Sequence, residues 1–152
     1  MSGSLRNGFT LIELLVLLAV LGVVAAIAVP SFTTFIQSNQ LITTSNDLVG
    51  ALNVARSEAV RLAQPVSLIP NATFTEGYKV VTDAPADISE FQGASGSYTI
   101  TLTAGVNPRF SSSGLLLSTA PTFNICRASG EDGSQINVTA GGQIRSIRFP
   151  CP

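Results

Sequence analysis

From Phe9 to Val29 the chain carries 21 residues that are apolar except for Thr10 and Glu13. As a helix they span about 31 Å, close to the hydrocarbon thickness of a bilayer. Such a block needs lipid or other protein around it. Arg6 precedes it and no cation follows soon after Val29, which directs the N-terminus to the cytoplasm. A cleaved signal peptide is the rival reading, with Ala26-Ile27-Ala28 as a small-x-small cut site before Val29. Two features oppose it. Glu13 places an acid in the apolar run, which a bilayer penalises by a few kcal/mol at depth, and helical patterning continues past the supposed cut.

Charged residues make up 11% of the chain, against about a quarter in ordinary soluble domains. The apolar block accounts for part of that deficit, so the rest reads as a soluble domain. A formal net charge of −1 gives no general attraction to nucleic acid or anionic lipid, and any basic site must be local. Histidine is absent, which removes the commonest general base and metal ligand together. Two cysteines without histidine are a poor basis for zinc. Ser111-Ser112-Ser113-Gly114 and Gly93-Ala94-Ser95-Gly96 lack the nucleophile-elbow spacing. Asp87, Glu90, Glu131 and Asp132 read as solvated turn carboxylates. We expect no enzyme, cofactor or metal site; a secreted hydrolase behind a signal peptide lacks its catalytic set.

Cys126 and Cys151 form an even pair in the C-terminal quarter. In a chain that crosses a membrane they read as a disulfide made in an oxidising compartment. Two separate buried thiols are the alternative. A bond closing about 25 residues is worth about 3–4 kcal/mol in the chain-entropy model.

Beyond Pro30, Leu41, Leu48, Leu52, Ala55, Ala59 and Leu62 recur at spacings that mark one helical face. Glu58 and Arg61 are spaced to pair. Pro65 ends the pattern one residue earlier. One helix is expected from Phe9 to Ala63, about 80 Å long, with Pro30 as the expected kink. Strands are expected at 66–69, 78–82, 97–102, 114–117, 122–127, 135–139 and 143–149, with 82–96 as a surface loop. The fold class is α+β, a long helix packed on antiparallel strands.

Gly8-Phe9-Thr10-Leu11-Ile12-Glu13-Leu14-Leu15 resembles the prepilin signature of type IV pilins and type II secretion pseudopilins. Ala55-Arg56-Ser57-Glu58-Ala59-Val60, then Phe110, Gly114, the strand Thr122 to Cys126 and a closing Gly-x-x-Arg, are similar to the FimT/FimU minor pilins and GspH pseudopilins. The resemblance implies a lollipop fold in four parts: leader 1–8, transmembrane and filament-core helix 9–30, amphipathic helix 31–64, and a periplasmic head 65–152. It implies cutting after Gly8 by a prepilin peptidase and methylation of the Phe9 amine. It also implies that Glu13 neutralises the amine of a neighbouring subunit, a pairing that makes both buried charges tolerable. A glutamate snorkelling to the interface is the alternative. Expected partners are other major and minor pilins or pseudopilins and the inner membrane. The function implied is a minor type IV pilin, with a GspH-type pseudopilin of a type II secretion system as the alternative.

The tail Gly142-Gln143-Ile144-Arg145-Ser146-Ile147-Arg148 is similar to a Gly-Arg-x-Arg motif with which some FimT proteins bind DNA. Gln143 stands where that motif has its first arginine. Arg145 and Arg148, with Gly142, Arg109 and Arg127 if folded nearby, form the candidate contact to double-stranded DNA, independent of base sequence. On a regular strand Arg145 and Arg148 point to opposite faces.

Overall fold

The computed structural model describes residues 9–84 and 87–152. The chain divides into two compact units, Met1–Gln37 and Ser38–Pro152. One helix, α1 (Leu11–Leu62), contributes to both and runs unbroken through Pro30. It is long and apolar enough in its first part to cross a membrane.

In the first unit the described residues are helix with no core of their own. Every residue from Phe9 to Ile36 is exposed. The hydroxyls of Thr33 and Thr34 donate to the Pro30 carbonyl at 2.8 and 3.2 Å, so these polar groups are satisfied on the helix itself.

The second unit has a full core. The stripe expected on α1 is the one buried: Leu48, Leu52, Ala55 and Ala59 are fully covered, and Leu41 and Leu62 pack against them. Ala51 joins the same face. Small residues at 51, 55 and 59 let the sheets approach the helix closely. The eight strands are β1 (Val66–Pro70), β2 (Gly77–Thr82), β3 (Asp87–Gln92), β4 (Thr99–Ala104), β5 (Arg109–Phe110), β6 (Thr122–Cys126), β7 (Asp132–Val138) and β8 (Ile144–Pro150). They form two four-stranded sheets in the orders β3-β2-β1-β5 and β4-β6-β7-β8, antiparallel throughout. Leu68, Val80 and Phe110 from the first sheet, and Phe123, Ile125 and Ile136 from the second, close on the helix stripe. Phe74 lies edge-on to Phe123 with ring centroids 4.9 Å apart, a favoured aromatic geometry.

Three expectations need correction. The segment 82–96 is not all loop: it contains β3, an edge strand whose Ile88 and Phe91 pack on the core. Its polar residues Asp87, Glu90 and Gln92 are exposed, and the register with β2 shifts between Val80 and Val81, so no clean alternation reaches the sequence. The run 114–117 is not a strand. Gly114 turns the chain at φ +76°, and only Leu116 bridges back, to Phe110. The strand proper is β5, whose two residues are too few to show a period. Finally, β7 begins at Asp132 and not at Gln135. Gly133 is a strand residue, and the disulfide leaves no room for a side chain there. A Cβ at Gly133 would lie 2.4 Å from the Cys151 sulfur and 3.1 Å from that of Cys126.

Candidate functional site

The start of α1 is a reciprocal cap. The Thr10 backbone N–H and hydroxyl both donate to Glu13 Oε2 at 2.9 Å, and the Glu13 N–H donates to the Thr10 hydroxyl at 3.3 Å. This is the capping box, which satisfies two of the donors that a helix start leaves orphaned. Thr10 was not singled out from the sequence, although its Thr-x-x-Glu spacing is the signature of that device. Glu13 Oε1 has no partner among the described residues. Among the described residues the carboxylate is therefore held in place through one oxygen, Oε2. Phe9 beside it is 83% exposed. Arg6 and Gly8, and with them the expected cut, lie outside the described residues.

Cys126 and Cys151 are joined in a disulfide. It ties the end of β6 to the residue after β8 and passes over Gly133 of the strand between them. The tail is thus fastened at both ends, by the ladder to β7 and by sulfur.

Of the five residues singled out for DNA contact, two arginines are engaged in ion pairs. The Arg109 guanidinium sits 2.6 Å from an Asp83 carboxylate oxygen, and Arg127 is paired with Glu131. Arg145 and Arg148 both lie on β8 and are exposed. Arg148 is opposite Ser134, on the face that β7 turns to the core, and Arg145 is opposite Asn137, on the other. Neither makes an ion pair among the described residues. Gly142 has a packing role. Its φ is +74°, and a Cβ there would meet the Gly114 carbonyl at 2.2 Å and Arg56 Nε at 3.0 Å. Arg56 Nε donates to that same carbonyl at 2.9 Å. Arg56 of the helix thus locks two tight turns together, which explains the signature residues 56, 114 and 142 by geometry.

Two further charge pairs are local. Arg61 holds Glu58 at 2.9 Å, and that hydrogen bond lowers the Glu58 pKa from its usual range. A hydrogen bond from Lys79 to Asp87 at 3.1 Å raises the lysine pKa. Burial pushes the Tyr78 phenol well above its ordinary value, with the Asp47 charge adding to it. Its hydroxyl is buried without a hydrogen-bond partner among the described residues.

An N-terminal apolar helix with a capped glutamate, continuing onto antiparallel sheets closed by a disulfide, defines the pilin and pseudopilin class. A family model described as type II transport protein GspH matches residues 44–142, and a prokaryotic N-terminal methylation motif matches residues 3–29. The chain belongs to the GspH family. The crystal structure of type IV minor pilin FimU from Pseudomonas aeruginosa PAO1 superposes with a TM-score of 0.64 at 24% identity. It covers 73% of this chain and 90% of that one, and shares the fold. The type IV major fimbrial protein FimA of Dichelobacter nodosus is 47% identical over 38 residues, 25% of this chain and 24% of that protein. The type IV major alpha-pilin of Moraxella bovis is 42% identical over 43 residues, 28% of this chain and 27% of that protein. The chain thus spans about a quarter of the length of these curated relatives.

Proposed function

We propose that this chain is a minor subunit of a type IV pilus, with a structural role in assembling or initiating the filament and no catalytic step. In this reading a prepilin peptidase cuts after Gly8 and methylates Phe9. Residues 9–30 wait in the inner membrane while the head, 65–152, folds in the periplasm. Assembly then moves the helix from lipid into a core of neighbouring pilins.

The observation that carries the reading is the uncovered apolar helix, exposed at every residue from Phe9 to Ile36. Burying one large aliphatic or aromatic side chain is worth about 1.5–3 kcal/mol, so this helix demands an apolar surrounding, and both the bilayer and a filament core supply one. Glu13 supports the filament step. One of its oxygens is free of partners among the described residues, and a neighbour's amine would cancel its charge as both leave water. The test is Glu13→Ala. The variant is expected to insert and be cleaved normally but to be depleted about tenfold or more from filaments, the scale of one lost desolvated charge pair. Normal incorporation would overturn the assembly role of Glu13.

A second reading is favoured by the description of the matching family, a type II transport protein. It makes the chain a GspH-type pseudopilin of a secretion system. Recovery of the chain in sheared surface pili supports the first reading. Intact pili with blocked export of folded proteins, on deletion, supports the second.

Duplex DNA is no part of this reading. Arg109 and Arg127 are engaged with Asp83 and Glu131, and Arg145 and Arg148 occupy opposite faces of one strand. A single duplex face would meet about one or two charges, a weak and strongly salt-sensitive contact.

A further inference from the structure

Each sheet has two edge strands, and three of the four are unfit for pairing. β5 is two residues long. The register shifts between Val80 and Val81 where β3 joins its sheet, and between Leu102 and Ala104 on β4. Such irregularities twist an edge away from a would-be partner. β8 is the exception. It pairs with β7 over seven residues, Ile144 to Pro150, with no shift. Its outer side makes no backbone hydrogen bond to any described residue, and Arg145 to Arg148 are exposed in succession.

The charges on this edge are selective. Arg148 has no hydrogen-bond or ion-pair partner among the described residues, and Arg145 has only a 3.5 Å contact to Gln143. Pairing with β8 of a second copy would bring four arginines into one short ladder, and like charges on adjacent strands repel. An acidic strand would neutralise them instead. Side chains have room on both faces. On the core side, Leu41, Ile42, Ser146 and Arg148 line an open groove of about 280 Å³ within the second unit, with Asp132 also in its lining, so only a carboxylate placed at Arg148 fits there. On the other, Ile147 lies half exposed beside Arg145.

We propose that β8 is a strand-addition site for an extended acidic segment of another protein chain. The backbone of that segment continues the β4-β6-β7-β8 ladder, and two carboxylates three residues apart, hence on opposite faces, meet Arg145 on one face and Arg148 on the other. The inference is independent of which filament the chain enters.

The probe is a synthetic valine- and threonine-rich peptide with two glutamates three residues apart, added to the full chain in neutral detergent micelles. Amide hydrogen exchange of Ile144 to Phe149 is expected to slow. Replacing glutamate by lysine, or N-methylating the peptide's ladder-forming amides, is expected to weaken binding about tenfold or more. The double change Arg145→Glu with Arg148→Glu is expected to reverse the preference, so that the lysine peptide binds and the glutamate peptide does not. This reversal also reports that the variant is folded. Binding that ignores N-methylation, no protection of β8 by the acidic peptide, or protection by duplex DNA in place of the peptide would each overturn the proposal.

Discussion

The two units answer the same physical demand in opposite ways. Residues 38–152 bury their apolar side chains internally, with Leu48, Leu52, Phe110, Phe123 and Ile136 fully covered. Residues 9–36 bury none: Leu14, Leu17, Val20 and Leu21 are each more than half exposed. Both segments are apolar, and α1 runs through both. The difference lies in periodicity. The stripe from Leu41 to Leu62 leaves a polar side for water, whereas the segment from Phe9 to Val29 is apolar all round and can be satisfied only by something outside the chain.

The sharpest way to break this comparison is a matched pair of truncations. Phe123→Ala is expected to cost the head about 3–5 kcal/mol, because Phe123 is fully buried against Phe74. Leu17→Ala removes as greasy a side chain, yet it is expected to shift head stability by less than about 0.5 kcal/mol. Denaturant unfolding of the full chain in micelles, followed by near-ultraviolet circular dichroism, measures both. Equal effects would mean that the first unit is part of the same core.

Next in size is the disulfide. Changing Cys126 and Cys151 together to serine is expected to cost the head about 2–4 kcal/mol while leaving membrane insertion unchanged. The helix–sheet core remains, so the head is expected to weaken without losing its fold. Unfolding curves paired with membrane fractionation measure the two effects separately.

The smallest effect sharpens what the core contains. Tyr78 is buried with no partner for its hydroxyl among the described residues, and its pKa is raised mainly by desolvation. An acid raised in the folded state contributes fully below the unfolded-state value of about 10 and loses that contribution as pH climbs above it. Head stability is therefore expected to fall above about pH 10, more steeply in the wild type than in Tyr78→Phe. At neutral pH, Tyr78→Phe is expected to stabilise by about 1 kcal/mol, since it deletes an unsatisfied buried polar group. Unfolding free energies measured across that pH range check both.

How much of this was legible follows from the same contrast. The helix and its buried stripe were readable because a 3.6-residue period over many turns has no rival explanation. β1, β2 and β6 were readable from short β-branched runs between turn residues. β3 was not, because an edge strand with a register shift and exposed Asp87, Glu90 and Gln92 has the composition of a loop. Gly133 and Gly142 look alike in sequence and act differently: one makes room for the disulfide, the other turns at positive φ against Arg56 and Gly114. Spacing cannot reveal such contacts between distant segments. The Thr10–Glu13 cap is legible in its Thr-x-x-Glu spacing. The engagement of Arg109 and Arg127 was beyond reach, since it depends on Asp83 and Glu131 folding beside them.

The central claim is that the first unit is a retained assembly helix that needs lipid or neighbouring subunits, and not a disposable signal. Intact-mass and N-terminal peptide spectrometry of the chain extracted from membranes or filaments tests it most directly. The account predicts a mature chain that begins at N-methylated Phe9 and keeps Glu13. A mature chain that begins at Val29, after the Ala26-Ile27-Ala28 run, would contradict it.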